Sequence, residues 1–347
     1  MWFYVIYLFL IILLAGRYRL STNSKVLNKS LGFNIAIISI IIISSLRYNI
    51  GWDWNAYLEI VYPKYYMANL NAYEPLNRVY FYLAAVTRMP IVMYSLFAIS
   101  IYGVIGKAIK DNSICLYESL IIYYSLFYID SLSILRQMTA VSVVLYGYRY
   151  IKEKKILKYL LCCYIASLYH STAIISIFLY FIYYQKVTTV MFMSVICIIF
   201  FTVLLPKVLS ALGLYKFTKY LVGGKLANSS GNYTRLVYTL LYLYCLLLRP
   251  KLNREYNGFL NICTLGIIFP WILGGHTGTR LSYYFLIYYV FLLPKCNKRF
   301  DIKYRVVFLI FFYIYFLLLI FVASKSGTGE YVPFRWYFFE SLNQPLN

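Results

Sequence analysis

Apolar runs divide this chain from end to end, near residues 2–16, 31–46, 90–106, 113–129, 137–150, 156–169, 171–185, 187–205, 235–248, 258–273, 281–294 and 306–323. Several approach the roughly 20 residues that a helix needs to cross the hydrocarbon core of a bilayer. Backbone groups in lipid must satisfy one another, so runs of this kind fold as helices. The expected fold is therefore all-α, a polytopic integral membrane protein with about 10–12 transmembrane helices. The stretch 156–185 either crosses twice in about 30 residues or dips in as a re-entrant pair of short helices. Composition points the same way, with 62% apolar and only 13% charged residues, where a soluble domain has about 25% charged. Soluble enzymes, disordered chains and secreted disulfide scaffolds are excluded.

The net charge of +22 would ordinarily suggest nucleic acid, but membrane proteins collect Lys and Arg in cytoplasmic loops to set their orientation. With the first connector inside, 20 of the 33 basic residues fall in short inner connectors, among them Arg17, Arg19, Lys25, Lys186, Arg249 and Arg254. Nucleic acid is not an expected partner. The N-terminal run lacks a basic n-region and is followed by Arg17 and Arg19. That pattern predicts a retained helix starting outside, not a cleaved signal peptide. The seven cysteines lie in apolar runs or at their inner ends with no CxxC spacing, which suits small buried hydrophobes better than a disulfide frame or zinc site.

The outer face then carries two larger loops, 47–89 and 206–234, together with 130–136, 274–280 and the tail from Ser324, all within a single membrane-embedded domain spanning 1–347. Arg makes up seven of the 13 outer basic residues (Arg47, Arg78, Arg88, Arg136, Arg235, Arg280, Arg335). A guanidinium presents a planar fork to phosphate or carboxylate, which points to anionic ligands, while snorkelling at headgroups is the plainer alternative.

Six constellations follow. Arg47 to Tyr57 sets a cation, Gly51 and Asp53 among Trp52, Trp54 and Tyr57; the rings either stack on sugars, with Asp53 as a base, or form an aromatic belt. Glu74-Pro75 reads as a helix start, where dipole electrostatics already explains the acid. Arg136-Gln137 opens a span, so Arg136 needs a counter-charge, for which Asp130 is at hand, or an anionic ligand. His170, in Tyr169-His170-Ser171-Thr172, is either a base or donor or a satisfied interior residue. Gly274 to Arg280, leading to Tyr284, is either an anion site or a tight turn. Tyr331 to Trp336 either folds back onto the outer surface, with Arg335 beside aromatic rings, or simply anchors at the interface. With only His170 and His276 available, a histidine-rich metal site is not expected.

Taken in order, Arg47…Gly51-Trp52-Asp53…Tyr57, Glu74-Pro75-Leu76, Arg136-Gln137 with Ala140, His170, Arg280…Tyr284 and Pro333 resemble the EpsG-like family of bacterial polysaccharide polymerases, akin to Wzy-type O-antigen polymerases. The resemblance covers about residues 45–335, and Tyr169 stands where the family often has Phe. It implies an inner-membrane glycosyltransferase that joins undecaprenyl-diphosphate-linked repeat units of an O-antigen or capsule at the outer face of the cytoplasmic membrane, without metal or cofactor. Membrane lipids and a chain-length regulator are the further partners it brings to mind. The roles it suggests are Arg280, Arg136 and Arg47 on the diphosphate, Asp53 or His170 activating the acceptor, and Glu74 orienting sugar hydroxyls. It further implies that Trp52, Tyr57, Gln137, Tyr284 and Arg335 contact substrate and that the 206–234 loop helps cradle the glycan. The competing readings are a flippase for lipid-linked oligosaccharide, which should carry many polar residues inside its spans, and an outer-face ligase or acyltransferase.

Overall fold

The computed structural model describes residues 2–16, 27–61, 73–211, 232–250, 253–273, 275–325 and 331–341. Helices make up its regular structure; among the described residues the only β pairing is an isolated bridge between Arg47 and Trp336. In chain order these are α1 (Trp2–Gly16), α2 (Leu27–Ser45), α3 (Trp54–Val61), α4 (Pro75–Thr87), α5 (Pro90–Asn112), α6 (Leu116–Ser133), α7 (Leu135–Lys152) and α8 (Ile156–Ser167). They continue as α9 (Ser171–Tyr183), α10 (Val187–Ile199), α11 (Leu205–Ala211), α12 (Asn232–Leu247), α13 (Arg254–Ile272), α14 (Gly275–Leu286), α15 (Tyr289–Asn297), α16 (Ile302–Lys325) and α17 (Tyr337–Ser341). The apolar runs of the sequence are helical here, and the expected all-α class is the one observed.

Two differences are instructive. The expected outer turn 274–280 is largely helical, because α14 already begins at Gly275. Gly278 explains the close approach: a Cβ there would stand 2.4 Å from the Phe269 carbonyl oxygen, so α14 packs backbone to backbone against the end of α13. The run 281–294 is broken into α14 and α15 rather than forming one span. Of the expected features, Arg17, Arg19, Lys25 and most of the 206–234 loop lie outside the described residues.

The chain forms two compact units, one of residues 1–149, 161–173 and 300–347, the other of residues 150–160 and 174–299. Three of the four crossings between them fall inside α7, α8 and α9, where no linker marks a boundary, and the fourth lies in the turn between α15 and α16. In the first unit α6 is the central helix, buried almost throughout, with α1 and α16 packed on it and α5 packed on α2 and α4. In the second, α13 is the hub for α10, α12, α14 and α15.

Among the described residues, Pro90–Asn112 and Ile302–Val322 are long and apolar enough to cross a membrane, and six shorter apolar helices accompany them. Burial runs opposite to that of a soluble core. The more apolar of the two long helices, α16, has 17% of its span buried, against 50% in α5. Val307, Ile310, Ile314, Leu318 and Val322 all face outward from it. An exposed apolar face this long is stable against lipid, not water, and the chain has the build of an α-helical membrane protein.

Candidate active site

Four helix starts meet in the first unit: α3 at Trp54, α4 at Pro75, α7 at Leu135 and α9 at Ser171. Pro75 occupies the first helical position of α4, with its ring presetting the backbone, and Glu74 precedes it as N-cap. Glu74 does not cap its own helix with its side chain; it gathers its neighbours instead. Oε2 accepts from Arg136 Nη1 at 2.8 Å and from Asn77 Nδ2 at 3.1 Å, while Oε1 accepts from the Ser171 backbone N–H at 3.3 Å. Asn77 Nδ2 also donates to the Tyr169 carbonyl at 2.7 Å, and the Leu76 N–H donates to the Leu168 carbonyl at 3.2 Å. The bend between α8 and α9 is thereby fastened to the start of α4.

Arg136 therefore finds its counter-charge in Glu74, not in the nearby Asp130. Its guanidinium also lies 5.0 Å from the centre of the Tyr73 ring and acts on the Tyr57 hydroxyl, favouring that phenol's charged form. Asp53, one helical turn before Tyr57, acts electrostatically on that phenol, and His170 acts on Glu74. Five of the residues singled out from the sequence, Asp53, Tyr57, Arg136, Glu74 and His170, thus share one electrostatic neighbourhood. His170 Nδ1 pairs with Thr172 Oγ1 at 2.7 Å. Arg136 keeps 28% of its side chain exposed and Glu74 17%, so a ligand can reach both.

Burial, the largest influence on Glu74, opposes its charged form. Its own backbone N–H, Arg136, the Ser171 N–H and His170 together outweigh burial and hold its pKa below the ordinary carboxylate value. A carboxylate so depressed is ionised at neutral pH and is a poor proton acceptor there. It serves to hold Arg136. For the linkage, a folded pKa below the unfolded one adds stability that is complete above the unfolded value and is lost as pH falls through the folded value. Wild type should therefore melt above Glu74→Gln at neutral pH, and the two melting temperatures should converge in acid; a gap unchanged down to strong acid would refute the assignment.

Arg47 is placed differently. It is 1% exposed, and its guanidinium donates to backbone carbonyls: Nε to Ile50 at 3.2 Å, Nη2 to Leu132 at 3.1 Å and Nη1 to Ser44. Tyr94 and Trp54, stacked on each other at 3.8 Å, cover it at 4.9 and 5.6 Å. The expected contact of Arg47 with a diphosphate is not available in this arrangement, since burial closes the guanidinium off and carbonyls engage it. Gly51 lets this loop pass: its φ is +108°, and a Cβ would lie 2.5 Å from the Leu132 carbonyl oxygen. Gly51→Ala should lower stability by about 2 kcal/mol or more, read as a fall in melting temperature. Trp52, just beyond, is 59% exposed, and its N–H donates to Ser133 Oγ at 3.1 Å.

The tail does fold back, with the Tyr48 N–H on the Arg335 carbonyl at 3.0 Å, the Tyr337 N–H on the Leu46 carbonyl at 2.8 Å, and Phe334 stacked on Phe3 at 4.0 Å. The Arg335 side chain is half-buried, Gln137 is buried beside Arg136 in sequence, and Arg280 and Tyr284 belong to the second unit, where Tyr284 is fully buried. Sequence reasoning passed over Asn77, which bridges Glu74 and Tyr169. Its position three residues after Glu74, on the same face of a proline-started helix, was the available signal. Among the described residues no three His, Cys, Asp or Glu side chains gather in a metal-holding group.

A model described as the EpsG family matches residues 31–336, nearly the whole chain. No curated protein matches, and no solved structure does. The family match begins before Arg47 and ends at Trp336, so it takes in every element of the cluster above.

Proposed function

The chain belongs to the EpsG family, and from that membership and the Glu74–Arg136 cluster we propose that it is a polysaccharide polymerase. In this reading the chain is polytopic, with about 10–12 crossings, and sits in the bacterial cytoplasmic membrane. Its substrates are undecaprenyl-diphosphate-linked oligosaccharides of an O-antigen or capsule, met at the outer face. A hydroxyl of the acceptor unit attacks the anomeric carbon of the donor chain. A new C–O bond forms, the C–O bond to the diphosphate breaks, and its electron pair leaves with the diphosphate. The hydroxyl proton passes to Asp53 or His170.

The observation that carries this reading is the guanidinium of Arg136, fixed by Glu74, Tyr57 and Tyr73 yet partly exposed. A cation held in place before reaction stabilises charge developing on a leaving diphosphate without reorganising. Helix starts supply further positive potential where α4, α7 and α9 meet. We assign this charge stabilisation to Arg136, with no metal or cofactor. Exposed Trp52 offers a ring face to a sugar, while Arg47 shapes the loop that bears it. A chain-length regulator would act on this protein from outside the cluster.

Purified full-length protein supplied with lipid-linked repeat units in detergent tests the proposal. Polymer with released undecaprenyl diphosphate supports it. Translocation in vesicles without new glycosidic bonds would replace it with a flippase, and transfer to a different acceptor with a ligase.

A further inference from the structure

The second unit contains a cavity of about 400 Å³ whose lining includes Lys186, Arg249 and Arg254, with Thr188, Asn257 and Tyr184 between them and no carboxylate. That volume lies within the usual range for small-ligand sites. Orientation in a membrane requires a number of basic residues near helix ends, not their convergence on a hollow. Here they converge, and they are held. Arg249 Nε donates to Asn257 Oδ1 at 2.8 Å, and the Arg254 guanidinium rests 5.0 Å from the centre of the Tyr184 ring. Glu255, the acid next in sequence, is engaged elsewhere, by Lys295 at 2.6 Å and Lys152 at 3.5 Å.

The walls are built as firmly as the cations. Asn261 Nδ2 donates to the carbonyls of Gln185 at 2.8 Å and Ile182 at 3.2 Å, fixing the turn between α9 and α10. The Tyr183 ring sits against Gly258, where a Cβ would stand 2.3 Å from it. Lys186 is the N-cap of α10 and has no side-chain cap bond, so Val187 and Thr188 bring the first turn of that helix into the lining. First-turn N–H groups lack intrahelical partners and add to the positive potential.

We propose that this cavity is a binding site for a phosphoryl group, built from residues other than those of the candidate active site and independent of the polymerase reading. Its surroundings favour a phosphate carried on a lipid. Beyond its first turn α10 exposes Phe192, Met193, Val195 and Ile196, and α9 exposes Phe178 and Phe181. Acyl chains lying along those side chains would bring a headgroup phosphate to Lys186 and Arg254.

The test uses full-length protein with Lys186→Gln and Arg254→Gln combined; Arg249 is kept because it supports Asn257. Both altered side chains are exposed, and an unchanged melting temperature in phosphatidylcholine confirms folding. Dioleoyl phosphatidylglycerol adducts are counted by native mass spectrometry, and the thermal shift with inorganic phosphate is measured in parallel. Each basic residue near an anionic lipid surface contributes about 1 kcal/mol, so retention of phosphatidylglycerol should fall at least about tenfold. A control with Lys154→Gln and Lys298→Gln, outside the cavity, should keep its adducts. Unchanged lipid adducts with a lost phosphate shift would support the site with a soluble phosphate as its source. Neither readout changing, or an equal loss in the control, overturns the proposal.

Discussion

Arg136→Lys is expected to stop chain growth, with polymerisation falling about a hundredfold or more, while the protein remains folded in the membrane. The charge survives this substitution; the geometry does not. Arg136 meets Glu74 at 2.8 Å with one nitrogen, lies beside the Tyr57 hydroxyl, and sets its guanidinium 5.0 Å from the centre of the Tyr73 ring. A lysine ammonium is a point charge on a flexible stem and cannot hold these three together. The side chain is partly exposed, so the stability lost is small beside the loss of activity. Glycan ladders from cells carrying the variant, with its membrane abundance and melting temperature measured alongside, separate the two effects. Ladders of normal length and rate from a normally folded Arg136→Lys protein would remove Arg136 from the reaction.

What could be read from the sequence follows from which interactions are local. Helix positions were legible because an apolar run bounded by charge is a local property, and α4 was legible from Pro75 alone. The assembly of Asp53, Tyr57, Arg136, Glu74 and His170 was legible only as a set of separate motifs. Glu74 and Arg136 are 62 positions apart, and no spacing rule selects that pairing over the nearer Asp130. The helical 275–280 segment is not legible because it depends on Gly278 approaching the end of α13, and the break between α14 and α15 leaves no mark in the apolar run. The two units were hidden for a further reason: three of the four unit changes fall within α7, α8 and α9, where helical periodicity is uninterrupted. Arg47 shows how one residue type supports opposite readings. An Arg beside Trp at a helix end suits a ligand site, but the same side chain two positions beyond Ser45 can also satisfy the last carbonyls of α2.

The second large effect is therefore on stability, at Arg47. Arg47→Met keeps the length and apolar stem but withdraws the donors from the carbonyls of Ser44, Ile50 and Leu132. Each buried acceptor left unmet costs about 1–3 kcal/mol, and loss of the cation from the Trp54 and Tyr94 faces adds about 1–2 kcal/mol. The sum, about 4 kcal/mol or more, is a large part of the 5–15 kcal/mol typical of a folded protein. Arg47→Lys should fare little better, since one ammonium cannot span three carbonyls belonging to the end of α2, the following loop and the end of α6. Both variants should melt well below wild type and accumulate poorly in the membrane, and the small fraction that folds should still polymerise. A diphosphate ligand would give the reverse pattern, with Arg47→Lys folding normally and losing activity. That outcome would mean the guanidinium leaves its carbonyls to meet substrate, and would move Arg47 from the frame of the site into the site itself.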